Sequence, residues 1–322
     1  MKTIEELYQY YQTDLLTDLT ILENVRKKVA RKVTFAIVIL GILAFLLLFF
    51  LFTLHDPLFM ILLFANGGIG FLIYYLFTKD YVKRFKIGII GKIVNFIEPN
   101  LVYSKDKCIP EPIYMESNIF PRRPDRYRGE DYVTGMVGKT EIAFSEIHSE
   151  YKIETRDRKG GRHEYWHTVF KGIFFIADFH KDFSGETLVL PDTAERLFGN
   201  VLGSLLQSWN VKRGQLIKLE DPEFEKFFVV YGSDQIEARY ILSTSLMKRI
   251  TDFKKKTGEQ IYISFVRGKV DVAISRSENL FEPRVFKTLL DFSPIQRYFE
   301  DLELAIGIVD ELNLNTRIWS KQ

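Results

Sequence analysis

The chain has 322 residues and a single cysteine, Cys108. One thiol excludes an internal disulfide and a zinc site built from cysteines. No Gly-rich loop leads into a Lys-Ser/Thr phosphate cradle, and Gly-x-Ser-x-Gly is absent. Gly203-Ser204-Leu205 falls inside an amphipathic helical pattern, not at a strand-to-helix elbow. Charge of one sign is also lacking. The 44 Lys and Arg against 42 Asp and Glu leave a net +2, which argues neither for nor against nucleic acid, and no nucleic-acid partner is expected. Repeats and low-complexity tracts are missing. The first 32 residues are polar and charged, with no short apolar stretch before a small-residue cleavage site, so no cleaved signal peptide is expected.

Charge is missing most conspicuously from two stretches. Val33–Leu54 and Leu58–Phe77 carry no Asp, Glu, Lys or Arg, and only His55-Asp56-Pro57 separates them. At about 1.5 Å per helical residue, either run crosses a hydrocarbon core of roughly 30 Å. Residues 33–78 therefore predict a transmembrane helical hairpin, with spans 33–54 and 58–77. Arg26, Lys27, Lys28, Arg31 and Lys32 precede the first span, and Lys79, Lys83, Arg84 and Lys86 follow the second. The connection has neither Lys nor Arg. The positive-inside rule then puts both termini in the cytoplasm of a multi-pass inner (plasma) membrane protein.

What flanks the spans is periodic. Ile4, Leu7, Tyr11, Leu15, Leu19, Leu22, Val25 and Val29 step by three or four residues, which predicts a cytosolic amphipathic helix over 1–32. Tyr81, Phe85, Ile89, Ile93 and Phe96 repeat likewise and predict a juxtamembrane helix over 79–98 that ends at Pro99. The two helices either pair as a stalk or lie on the membrane or on the globular domain. Pro99, Pro110, Pro112, Pro121 and Pro124 make 99–130 read as a Pro-rich irregular linker.

Residues 131–322 read as a cytosolic α+β domain with mainly antiparallel sheet. Strands are expected at 131–137 and 139–155, and at 163–179 after the turn signal Asp157-Arg158-Lys159-Gly160-Gly161. Val169–Phe179 is apolar on both parities, as in a strand buried on both faces. Further strands are expected at 187–190 and 227–231, with a hairpin over 260–275 around Arg267-Gly268. Helices are expected from Asp192 or Thr193 to Trp209, from Ser243 or Thr244 to Lys256 before Gly258, over Val285–Leu290, and over Ile295–Leu312.

Several constellations could carry chemistry. His163 and His167 flank Trp166, and His180 follows Asp178. Strand residues four apart stand about 13 Å apart, too far to share an ion bound at about 2 Å. Ordinary sheet histidines are the expected reading, so no metal, cofactor or catalytic residue is assigned. Asp192, Glu195, Glu220, Asp221, Glu223 and Glu225 fit helix capping and solvated faces. Two basic clusters are candidate contacts for anionic lipid or a partner: Arg122, Arg123, Arg126 and Arg128, and Arg156, Arg158, Lys159 and Arg162. Asn66, Gly67, Gly68 and Gly70 form a small, polar patch in the second span, suited to helix packing within the hairpin or between protomers.

Three stretches, GKTEIAFSEIHSEYKIETRD, HTVFKGIFFIADF and LEDPEFEKFFVVYGSDQIEARYILSTSLM, occur in that order. They resemble the bacterial membrane proteins grouped as domain of unknown function 3137, over about residues 80 to 320 plus the hairpin. The resemblance implies a bacterial two-span inner-membrane protein with a cytoplasmic C-terminal domain, and a LemA-like membrane protein as a candidate partner. It implies no catalytic residues.

The expected function is thus a membrane-anchored cytosolic interaction module, an adaptor, scaffold or sensor, in contact with the lipid bilayer and a membrane or cytosolic protein, and able to form homo-oligomers. The alternative is a membrane-anchored enzyme with a site near His167, Asp178 and His180.

Overall fold

The structure, a computed structural model, describes residues 2–120, 122–156, 162–179, 183–192, 215–312 and 314. The chain divides into two compact units. One combines 2–93 with 281–300, and the other combines 94–280 with the residues from 301 onward.

The first unit is helical. Helix α1 (Ile4–Tyr10) starts on a capping box. Thr3 Oγ1 accepts from the Glu6 amide at 3.1 Å, and Glu6 Oε2 accepts from the Thr3 amide at 2.8 Å. This satisfies two groups that would otherwise lack partners. A π-helical turn (Tyr11–Leu15) leads into α2 (Leu16–Leu54). His55 ends α2 in the left-handed region at φ 53°. Asp56 Oδ1 accepts from the Leu58 amide at 2.9 Å, and α3 (Leu58–Phe85) begins. A second π-helical turn (Lys86–Ile90) joins α3 to α4 (Gly91–Ile97).

The two predicted stripes are buried within this unit: Leu7, Tyr11, Leu15, Leu19 and Leu22 on one side, Tyr81, Phe85, Ile89 and Ile93 on the other. An Asp18–Lys92 ion pair ties the two helical segments, and both also pack on the chain at 281–300, Tyr11 against Phe292 and Phe85 against Tyr298. The helical runs Ile4–Leu54 and Leu58–Ile97 are each long and apolar enough to cross a membrane. Their most apolar stretches are almost wholly exposed, unlike a core helix of a soluble domain. Val285–Leu290 is not the helix the sequence predicts but irregular chain, and helix α9 (Phe292–Glu311) follows it.

Among the described residues the second unit is built on a nine-stranded sheet, paired antiparallel throughout: β1 (Leu101–Ser104), β2 (Arg126–Val137), β3 (Thr140–Arg156), β4 (Arg162–Asp178), β5 (Thr187–Pro191), β6 (Gln215–Ile217), β7 (Phe228–Gly232), β8 (Ile261–Val266) and β9 (Lys269–Ser275). The strand order is β1-β2-β3-β4-β9-β8-β5-β7-β6. β5 and β8 are buried on both parities, as is the end of β4 from Gly172 to Ala177, the last as the apolar run Val169–Phe179 predicts. The β8–β9 turn places Arg267 at φ 53° and Gly268 at φ 73°, the two positive values a two-residue hairpin turn requires. The other helices among the described residues are α5 (Glu111–Glu116), α6 (Pro222–Glu225), α7 (Gln235–Ile241) and α8 (Thr244–Thr257). Ser243 caps α8 through the Leu246 amide, and Gly258 ends it at φ 70°. The helix expected over 193–209 lies outside the described residues.

The linker expected over 99–130 is instead part of the sheet unit's body. It contains β1, α5 and the start of β2, and its Ile109, Tyr114, Ile119 and Phe120 are core residues. Buried hydroxyls on one sheet face hold it there. Ser145 Oγ accepts from the Ile109 amide at 3.0 Å, Ser149 Oγ meets Tyr114 OH at 2.9 Å, and Ser264 Oγ donates to the Ser117 carbonyl at 2.5 Å. A hydroxyl on a buried strand needs a partner, and the irregular segment offers them. Prolines interrupt regular structure there without preventing burial.

Candidate functional site

Within the helical unit, a group of buried charges gathers around irregular chain. Glu23 and Arg26 stand about one helical turn apart on α2, and both are buried. Arg26 donates to both Glu23 oxygens, at 2.8 and 2.6 Å. Further bonds of the pair go to backbone. Arg26 Nη1 donates to the Val285 carbonyl at 2.7 Å, and Glu23 Oε2 accepts from the Leu289 amide at 3.0 Å. Lys86, 1% exposed, pairs with Glu282 at 2.9 Å. Tyr11 OH donates to the Leu290 carbonyl at 2.9 Å, and Tyr298 OH to the Glu282 carbonyl at 2.9 Å.

The Arg26 hydrogen bonds hold the Glu23 carboxyl down at about 2, against the opposing effect of burial, and the Leu289 amide adds to this. Arg26 is raised in turn, chiefly by its bond to Glu23. The pair is therefore charged at any physiological pH and acts as a clamp on residues 282–290. In the same unit, Tyr81 OH is buried without a hydrogen-bond partner, and burial pushes its phenol up. The sequence signal is an acid and a base three apart, next to a buried stripe. Arg26 also belongs to the basic flank of the first apolar run, and that more obvious feature obscures the pair.

The sheet unit has an acidic cluster. A register shift between Glu130 and Val133 accompanies Asp131 at φ 59°. Carboxylate oxygens of Glu130, Asp131 and Glu146 lie within 4.8 Å of one another. Three oxygens would suit a hard divalent cation, but these carboxylates are already engaged. Asp131 accepts from Tyr103 OH at 2.5 Å, Glu146 accepts from the Leu280 amide at 2.6 Å, and Glu130 also has a partner.

The first basic cluster meets the ribbon that β3 and β4 form. Glu150–Arg156 of β3 and Arg162–Thr168 of β4 pair as a ribbon whose β4 side is exposed. Arg126 lies over the Trp166 ring at 3.3 Å, and Arg122 over Tyr151 at 4.4 Å. Tyr151 in turn stacks on His167 at 5.0 Å. Tyr165 is 58% exposed. Arg128 reaches Glu150 at 3.2 Å, and Arg123 reaches Glu111 at 2.5 Å. Arg158 and Lys159 lie outside the described residues, as does the side chain of Arg156, and Arg162 is exposed.

The residues of the alternative enzyme site can be placed only in part. His167 and Asp178 lie on the same strand, about 36 Å apart by strand rise. His180 lies outside the described residues. Cys108 is half-buried, and burial pushes its thiol up, away from thiolate chemistry.

The helix-packing patch divides. Asn66 Nδ2 donates to the Leu40 carbonyl of α2 at 3.1 Å. A Cβ at Gly70 would meet Leu40 Cδ1 at 3.3 Å. A Cβ at Gly67 or Gly68 would meet nothing within 4 Å, so neither glycine is needed for the hairpin's own packing.

Residues 168–314 match the family model described as Protein of unknown function (DUF3137). It is the family the sequence resembles. The matched stretch begins in β4 and runs through the end of α9, so it takes in the segment 282–290 that the clamp holds. No curated protein matches the chain. A solved structure, the crystal structure of the mycobacterial trehalose monomycolate transport factor A, TtfA, aligns over 72% of this chain and 95% of its own at 8% identity, with a TM-score of 0.36. That likeness is too weak to transfer either fold or function.

Proposed function

We propose that the chain is a two-span protein of a bacterial inner membrane, with both termini cytoplasmic, that presents its sheet unit as an interaction module: an adaptor, scaffold or sensor for another protein. The observation that carries this reading is the pair of long apolar helices with exposed apolar surfaces, joined by three residues. Lys and Arg flank the pair only on the far ends, which favours cytoplasmic termini. The interaction role draws support from how the buried charges are used. Glu23, Arg26 and Lys86 hold chain in place, whereas His167 and Asp178 stand apart. The exposed ribbon, with Tyr165 and Trp166 beside arginines, is a surface of the composition that protein interfaces favour.

Full-length protein purified from membranes in mild detergent tests this. The expected result is a stoichiometric protein partner, with a LemA-like protein the first candidate, that is lost when Tyr165 and Trp166 are both replaced by Ser. A reporter active only in the periplasm should work at Asp56 and fail at either terminus. Activity at the C-terminus would overturn the topology. A His167→Ala or Asp178→Ala variant as stable and abundant as wild type, yet inactive in complementation, would overturn the non-enzymatic role.

A further inference from the structure

Charges in the helical unit sort by the direction they face. Glu23, Arg26 and Lys86 are buried and hold the chain at 282–290. Lys28, Arg31 and Lys32 on α2 and Lys79, Lys83 and Arg84 on α3 are exposed. Among the described residues none of the six meets a carboxylate within ion-pair distance. At about 100° per helical residue, the three on α2 project from the side opposite buried Leu19, Leu22, Arg26 and Val33. Those on α3 project from the side opposite buried Thr78, Tyr81 and Phe85. All six stand near one level of the hairpin. Lys32 Nζ lies 5.9 Å from the centre of the Phe77 ring, so the start of one apolar run lies beside the end of the other. No more than seven residues separate any of the six from its run, about 11 Å along the helix. Asp80, itself exposed, is the one acid in residues 26–33 and 77–86.

We propose that this collar binds the phosphate headgroups of anionic phospholipid, holding a shell of such lipid around the hairpin where it leaves the bilayer. The inference rests on the membrane-spanning reading above. Orienting the spans needs only an excess of Lys and Arg on one side. The collar offers more: six cations that face outward, lack carboxylate partners and stand close to one Debye length, about 10 Å at 0.1 M salt, from the hydrocarbon edge. Cations so placed attract anionic headgroups. Their long apolar stems can lie along the acyl boundary while the charged ends reach the phosphates. The basic cluster of the sheet unit is engaged otherwise. Arg122 and Arg126 stack on aromatic rings, and Arg123 and Arg128 pair with carboxylates.

The test uses full-length protein in phosphatidylcholine vesicles that carry a trace of spin-labelled phosphatidylglycerol or spin-labelled phosphatidylcholine. It reads the share of each probe immobilised on the protein. Both leaflets have the same composition, so the direction of insertion does not alter the reading. Wild type should enrich the anionic probe about fivefold over the zwitterionic one, the scale of one basic contact with a headgroup. Most of that preference should vanish at about 1 M salt, where the Debye length is about 3 Å. Lys28→Gln, Arg31→Gln, Lys79→Gln and Lys83→Gln combined should abolish it. Lys28→Arg, Arg31→Lys, Lys79→Arg and Lys83→Arg combined should keep it, and Asp80→Asn should raise it. Arg122→Gln with Arg126→Gln should leave it unchanged. Immobilisation of neither probe would overturn the membrane-spanning reading and this inference with it. Equal immobilisation of both probes by wild type would overturn only the inference. So would a preference that survives the four Gln substitutions, or one that disappears with Arg122 and Arg126 instead.

Discussion

Two segments that connect the main elements are held in place by opposite chemistry. In the sheet unit, residues 108–120 lie on one face of the sheet, anchored by the neutral hydroxyls of Ser145, Ser149 and Ser264. In the helical unit, residues 282–290 are anchored by the charges of Glu23, Arg26 and Lys86. Both devices satisfy backbone groups that regular structure would have paired. They differ in how they fail. A lost hydroxyl leaves a neutral group short of one bond, whereas a lost member of a buried ion pair leaves a bare charge. The hydroxyl design tolerates damage, and the charged design is close to all-or-none.

Among substitutions, the largest effect is expected at Arg26→Ala. It leaves the buried Glu23 carboxylate with only the Leu289 amide and the more distant Lys27, at 3.8 Å, and should cost about 3 kcal/mol. Thermal unfolding measures the loss, and proteolysis should open first within 282–290. Replacing Glu23 and Arg26 together by Leu and Met should restore only part of the stability, because the Val285 carbonyl and the Leu289 amide then lose their partners.

Asp271 probes the neutral side of the contrast, because it puts an ionisable group opposite Ser264 in the sheet. Burial, with Glu116 adding, pushes its carboxyl up to about 7, against the pull of Lys269. A carboxyl raised in the folded state is stabilising while protonated. Its contribution is complete below the unfolded value of about 4 and is lost as pH rises through about 7. Stability should therefore fall by up to about 4 kcal/mol between those limits. Asp271→Asn should flatten that slope and raise Tm at about pH 8. An unchanged slope in the variant would show that the carboxyl is solvated.

Tyr114→Phe should cost only about 1–2 kcal/mol, because Ser149 Oγ retains a second acceptor, the Phe170 carbonyl, at 3.5 Å. A loss as large as that of Arg26→Ala would erase the distinction between the two devices. The smallest effect is expected at Arg126→Ala, which removes a stack on a part-exposed Trp166 ring. It should cost about 1 kcal/mol or less, and partner binding should change more than melting temperature.

Legibility in the sequence follows the same division. The apolar runs, the His55-Asp56-Pro57 turn, the stripes around the spans and the Arg267-Gly268 hairpin are local patterns, and each appears where it is predicted. Residues 99–130 are not legible as core. Their first two elements are four and six residues long, too short for periodicity to register. Their order depends on Ser145, Ser149 and Ser264, which are distant in sequence. Val285–Leu290 has helical spacing, but Glu23 and Arg26 take its backbone groups, and tertiary capture outweighs propensity. The candidate site is half visible. The basic clusters stand out by composition, but only the fold puts Arg126 against Trp166. Glu23 follows Leu22 of the apolar stripe and reads as an ordinary solvated acid until the chain at 289 is placed beside it.

The clamp has a consequence for how sequences of this kind can drift. Glu23 and Arg26 recognise an amide and a carbonyl, not the side chains that bear them. Positions 285 and 289 need only stay apolar enough for burial, so one aliphatic residue can replace another there without the clamp registering the change. Proline at 289 is the exception, because it has no N–H to offer the carboxylate. At these two positions the constraint would then fall on two residues of α2 more than 250 positions away, outside the 168–314 stretch that matches the family model.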